Sequence, residues 1–134
     1  MIESNFLDCD ISKYSFTKGF SRKALHHLTD PEKEKFALKI APHFKKDSIF
    51  VIEDGIFNFD KSLLNEKVPE IVKEAKVYYG ANWPGIEKDF MITILEEFVT
   101  DYATWENAFA KGGFKMIEKT PYSMFYGMAV FQKQ

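Results

Sequence analysis

The strongest hydrophobic signal in the chain lies in residues 48–54, where four successive apolar residues, Ile49 to Ile52, run into two acids. Such an unbroken run predicts a strand buried on both faces, as in a parallel sheet covered by helices. Gly55 then permits a turn. Upstream, Phe36, Ala37, Ile40 and Phe44 recur at helical spacing. They predict a helix with Asp30 as N-cap and Pro31 at its first position, closed or kinked by Pro42. Downstream, Leu64, Val68, Ile71, Val72, Ala75 and Tyr78 form the apolar stripe of a helix over 61–79. Pro69 lies inside that stripe, so a break near Lys67 is expected. Asn82-Trp83-Pro84-Gly85 reads as a turn, followed by helices over 86–99 and 103–111. Gly112-Gly113 stops the last of these. Residues 114–119 and 125–131 then read as two strands of a hairpin, with Pro121 and Ser123 between them. The first twenty residues show no clear periodicity. Asn5-Phe6-Leu7 resembles a strand remnant ending at Asp8-Cys9-Asp10, and 12–19 reads as a loop with spaced aromatics.

The order of elements indicates an α/β fold, and 134 residues allow one domain, 1–134. Hydrophobic residues make up 46% of the chain and aromatics 16%, enough to drive collapse and to argue against intrinsic disorder. A net charge of −2 gives no basic excess for nucleic acid or an anionic membrane. With one cysteine, Cys9, there is no internal disulfide, and no apolar run has the length of a membrane span. A soluble cytoplasmic protein is the expectation.

Few residues suggest chemistry. His26-His27 invites a metal or catalytic reading, but adjacent side chains point apart on helix or strand, so no metal site is expected. A turn histidine satisfied by backbone is the plainer reading. His27 is the candidate general base or substrate contact. Asp54, at the carboxyl end of a buried strand, sits where α/β ligand crevices open; otherwise it caps a turn. Tyr78, Tyr79 and Trp83 could line a pocket or belong to the core, and Tyr126 likewise. Asp8 and Asp10 are a possible carboxylate pair or a solvated loop. Cys9, beside an acid and with no histidine placed by it, is a poor nucleophile. There is no Gly-x-x-x-x-Gly-Lys phosphate loop and no serine nucleophile elbow.

The order loop acid, His-His-Leu turn, helix, apolar strand closing in an acid, helices, Gly-Gly-Phe and hairpin resembles the second part of a class I S-adenosylmethionine-dependent methyltransferase. The resemblance covers about residues 6–133. It implies a partial Rossmann-like sheet with a C-terminal antiparallel β-hairpin, and methyl transfer from S-adenosylmethionine to a small molecule. By resemblance, Asp10 matches the acid that touches the adenine, and Leu25, His26 and His27 lie beside the methionine end of the cofactor. Asp54, Tyr79, Trp83 and Tyr126 fall on the substrate side, with His27 the possible catalyst. The run Ala110-Lys111-Gly112-Gly113-Phe114-Lys115 matches the family's last helix and sixth strand, and 125–131 its antiparallel seventh.

The departures are specific. The family's cofactor loop is rich in glycine and follows an apolar strand, whereas the seven glycines here, at 19, 55, 80, 85, 112, 113 and 127, make no Gly-x-Gly set. The first two strands and the acid that holds the ribose are missing. The fourth strand, expected just before Ser21, looks deleted or cut to a stub. An incomplete or inactive form of the enzyme is therefore expected, with or without bound cofactor. One edge of strand 48–54 should then be open, to be covered by self-association or by a partner chain. The competing expectation is a non-catalytic binding or assembly module that uses this edge.

Overall fold

In the computed structural model, Leu7 and residues 10–134 are described. Asn5, Phe6, Asp8 and Cys9 lie outside the described residues, and with them the strand remnant and the Asp8 half of the carboxylate pair. The central element, β2 (Phe44–Asp54), has a parallel neighbour on one side, β1 (Phe16–Arg22), and an antiparallel one on the other, β6 (Gly127–Lys133). Strand β5 (Phe114–Pro121) completes the order β1-β2-β6-β5.

Strand β1 is a correction: the segment expected to be a loop and a stub is a full strand. Its alternation is masked because only one of its faces meets the core. Phe16 packs inward, while Phe20, Lys18 and Arg22 point outward. Gly19 is required there, since a Cβ would come within 2.4 Å of the Phe50 ring and 2.8 Å of Phe44. Both edges of residues 48–54 are thus paired, and among the described residues the outer edges of the sheet belong to β1 and β5. Pairing of β1 with β2 jumps from Phe16↔Phe44 to Lys18↔Ile49, so residues 45–48 bulge out, with Asp47 at φ 69°. Regular pairing therefore begins where the apolar run begins.

Helix α1 (Asp30–Ile40) starts one residue earlier than expected. Its N-cap is Thr29, which exchanges hydrogen bonds with Glu32 in a capping box. Helices α1 and α4 (Tyr102–Lys111) cover one face of the sheet. Phe36, Phe44, Phe50, Phe109, Phe114 and Phe131 interlock there. The helices approach closely because Gly112 lies against the Ala37 carbonyl, where a Cβ would sit 2.7 Å from the oxygen. The other face is not sealed by helices as the apolar run implied: Ile49 and Val51 are half-exposed and Phe20 is 62% exposed.

A second cluster forms around α2 (Leu64–Tyr79) and α3 (Trp83–Leu95) with Phe57, Val99 and Phe125. Helix α2 runs through Pro69 without the expected break. Trp83 opens α3, with Pro84 in its first turn, so the expected turn there is the start of a helix. Helix α3 ends at Leu95, four residues short of expectation. Two short strands, β3 (Ile56–Phe57) and β4 (Thr100–Asp101), pair in parallel and draw the end of β2 towards the segment after α3. No helix among the described residues is long and apolar enough to cross a membrane.

Candidate functional site

At the carboxyl end of β2, the chain buries a carboxylate. Asp54 is 1% exposed, and its oxygens accept from the Gly55 N–H at 2.7 Å and the His26 N–H at 3.1 Å. Its Oδ1 also lies 2.7 Å from His26 Nδ1. The histidine comes from a single 3-10 turn, Leu25–His27, set directly after β1. Lys23 makes the bend with a left-handed φ of 51° while its N–H stays bonded to Glu53. Leu25 anchors the turn in the core at 1% exposure, which aims His26 at Asp54.

The other ring nitrogen, His26 Nε2, lies 2.8 Å from Glu97 Oε2. Glu97 follows α3, and the Phe98 N–H donates to the His26 carbonyl at 3.1 Å. Lys33 holds these segments together. Its wholly buried ammonium donates to the carbonyls of Leu28 and Phe98, each at 2.6 Å, and lies over the Trp105 ring. Burial lowers the Lys33 pKa. Burial also works against the charged form of His26, but the hydrogen bond and charge of Asp54, with the charge of Glu97, outweigh it and the pKa rises.

His26 and Asp54 stand at the wall of a cavity of about 610 Å³ between the end of β2, helices α2 and α3, and the β5–β6 hairpin loop. Aromatic rings dominate its wall: Tyr79, Phe90, Tyr122, Phe125 and Tyr126. Tyr126 donates to Glu53, which Arg22 also holds at 3.0 Å, and burial pushes the Tyr126 pKa up to about 12.

Five of the residues singled out in the sequence therefore meet at one cavity: His26, Asp54, Tyr78, Tyr79 and Tyr126. The others do not line it. His27 is 59% exposed on the outside of the turn. Trp83 is core, stacked on Tyr79 and edge-on to Phe90. Asp10 is exposed, its carboxyl lowered in pKa by its hydrogen bonds with Ser12. Leu25 is buried. Asp10, Leu25, His26 and His27 thus form no common cradle, and the described residues by themselves do not fit S-adenosylmethionine as a complete site. Glu97 and Lys33 were missed by sequence reasoning. Glu97 falls within the expected helix 86–99, and nothing in its neighbourhood marks a turn towards His26.

No protein-family model and no curated protein matches the chain. Solved structures do. An O-methyltransferase family 2 protein from Planctomyces limnophilus, in complex with apigenin, matches with a TM-score of 0.65 at 11% identity, over 98% of this chain and 33% of that one. The riboflavin-type dimethyltransferase RosA from Streptomyces davawensis matches with a TM-score of 0.61 at 14% identity, over 98% and 33%. LepI, in complex with SAH and a substrate analogue, matches with a TM-score of 0.60 at 19% identity, over 98% and 29%. The chain has the fold of a methyltransferase's C-terminal portion. It spans about a third of the length of these structures. The antiparallel β6 beside β2 is the arrangement that the resemblance implied.

Proposed function

We propose that this chain supplies the acceptor half of an S-adenosylmethionine-dependent methyl transfer to a hydroxyl group of a small aromatic molecule. The observation that carries this reading is the Asp54–His26 pair at the wall of an aromatic cavity. In the neutral ring, Nδ1–H donates to Asp54 and the Nε2 lone pair is free to accept a proton. An acceptor hydroxyl in the cavity takes the place of the Glu97 carboxylate on Nε2 and gives up its proton there. Asp54 holds the ring orientation and stabilises the imidazolium that forms. The aromatic wall, with Phe90 and Tyr79 on the helical side and Phe125 and Tyr126 on the hairpin side, suits a planar ring.

The test uses S-adenosylmethionine with a labelled methyl group and apigenin, the flavonoid held by the Planctomyces limnophilus protein. Transfer that disappears in His26→Gln supports the reading. A folded sample that binds no apigenin by calorimetry, or one whose apigenin binding is unchanged by substitutions in the wall of the cavity, sinks it.

A second reading, a non-catalytic assembly module, is favoured by the open side of the sheet. In register across the strands, Phe20, Val51 and Val130 form an apolar row on the face without helices, exposed at Phe20, partly buried at Val51 and buried at Val130. Beside it, an opening of about 420 Å³ along the β1 edge reaches Phe36, Phe44 and Phe50. A second strand or sheet laid there would complete the core.

A further inference from the structure

The expectation that His26 and His27 point apart assumed a helix or a strand. In the 3-10 turn they do not: the two rings lie 4.1 Å apart, tilted by 36°. Both face Glu97, whose Oε2 is 2.8 Å from His26 Nε2 and 3.8 Å from His27 Nδ1. All three ligand atoms fall within 4.8 Å of one another. We propose that His26, His27 and Glu97 form a binding site for a borderline divalent transition-metal ion such as zinc, with the open coordination position facing solvent.

Three features support this. First, the donor set is two imidazoles and one carboxylate, which suits zinc and leaves its fourth position for water. Tetrahedral zinc at its usual bond lengths holds its ligand atoms roughly 3.3 Å apart. The separations of 2.8 and 3.8 Å from Glu97 bracket that value, and the two imidazole nitrogens lie within 4.8 Å of each other. Second, His26 is already oriented as a ligand. Asp54, 1% exposed and tied down by two backbone N–H groups, lies 2.7 Å from Nδ1 and holds the ring with Nε2 turned to Glu97, where a metal ion would replace the Nε2 proton. A buried carboxylate behind a ligating histidine is the usual outer-shell partner of zinc. Third, the site is accessible: the His27 side chain is 59% exposed and that of Glu97 28%.

The ion competes with the proton for His26 Nε2. Occupancy therefore blocks the proton transfer proposed above, and zinc acts as an inhibitor of that step. The site itself does not depend on the methyl-transfer reading, and its test reads no turnover.

The experiment is calorimetric titration of the purified chain with zinc in a non-chelating buffer at neutral pH, with cobalt absorption as a second readout. The expected result is one equivalent bound at micromolar affinity or tighter, with a four-coordinate cobalt spectrum. Glu97→Gln and His27→Ala should each weaken binding at least about tenfold, no less than the loss of an outer-shell partner. His27→Ala removes a mainly exposed side chain, and circular dichroism verifies that its fold is kept. No binding up to high micromolar zinc overturns the proposal, and so does binding that His27→Ala leaves unchanged.

Discussion

Asp54 is shielded from water yet accepts two backbone N–H bonds and faces an imidazole, so its charge is compensated where it stands. The consequence is legible in His26. Its pKa lies above the usual 6.5 because Asp54 and Glu97 together outweigh the effect of burial. A raised pKa in the folded state means that the protonated ring stabilises the fold. That contribution is complete below about pH 6.5, the unfolded value, and is lost as pH rises through the folded value. Urea unfolding across this window should show wild type losing stability relative to His26→Gln. In Asp54→Asn, nuclear magnetic resonance should find the His26 pKa moved down. An unchanged value would mean that Glu97 alone holds the charge. At Gly19 the constraint is steric. A methyl group there meets ring carbons of Phe50, a packed side chain, so Gly19→Ala should cost about 1–3 kcal/mol in chemical unfolding.

One ammonium group joins the direct Phe98–His26 and Glu97–His26 contacts in fixing the 3-10 turn against the segment after α3. Lys33, on α1, bonds the Leu28 carbonyl just beyond the turn and the Phe98 carbonyl just beyond Glu97. Lys33→Met keeps most of the volume and removes both of these bonds together with the ion pair to Asp30 at 3.2 Å. Bonds to a charged donor are worth roughly 1.5–3 kcal/mol each, part of which relaxation recovers. Stability should therefore fall by about 2–4 kcal/mol. The Phe98 amide, bonded to the His26 carbonyl, should exchange with deuterium faster than amides in the middle of α1. Equal protection in mutant and wild type would show that β3–β4 pairing suffices to hold the segment. Elements of this kind divide sharply in how far sequence reveals them. Strand β2 and the end of α4 are plain because an apolar run and a Gly-Gly pair are local signals. Strand β1 is hidden because an edge strand with one packed face carries a lysine, an arginine, a serine and a glycine. The position of Asp54 at a strand end was readable. The choice of His26 over His27 was not, since it depends on the phase of a turn only three residues long. Glu97 needed α3 to stop at Leu95, which no glycine or proline marks.

At the scale of the molecule, the sheet is covered unequally. Helices α1 and α4 seal one face, while across the other run Phe20, Val51 and Val130, flanked by Lys18, Arg22, Glu53 and Glu118. The outer edge of β1 has no strand partner among the described residues. Open edges and apolar sheet faces invite pairing, and natural proteins blunt them with charge, most often lysine. Phe20, 62% exposed, lies where the two exposed features meet. Light scattering over a concentration series should therefore show self-association of the 15.6 kDa chain. Phe20→Lys should restore the monomer without loss of helix signal, because the side chain points away from the α1–α4 core. A wild-type chain that stays monomeric at every concentration would leave the open face to a different partner chain. A Phe20→Lys variant that still associates would move the contact to the exposed side of α2, where Val77 and Tyr78 are 80% and 72% exposed. The two surfaces separate cleanly, because substitution of Val77 by lysine leaves the sheet untouched.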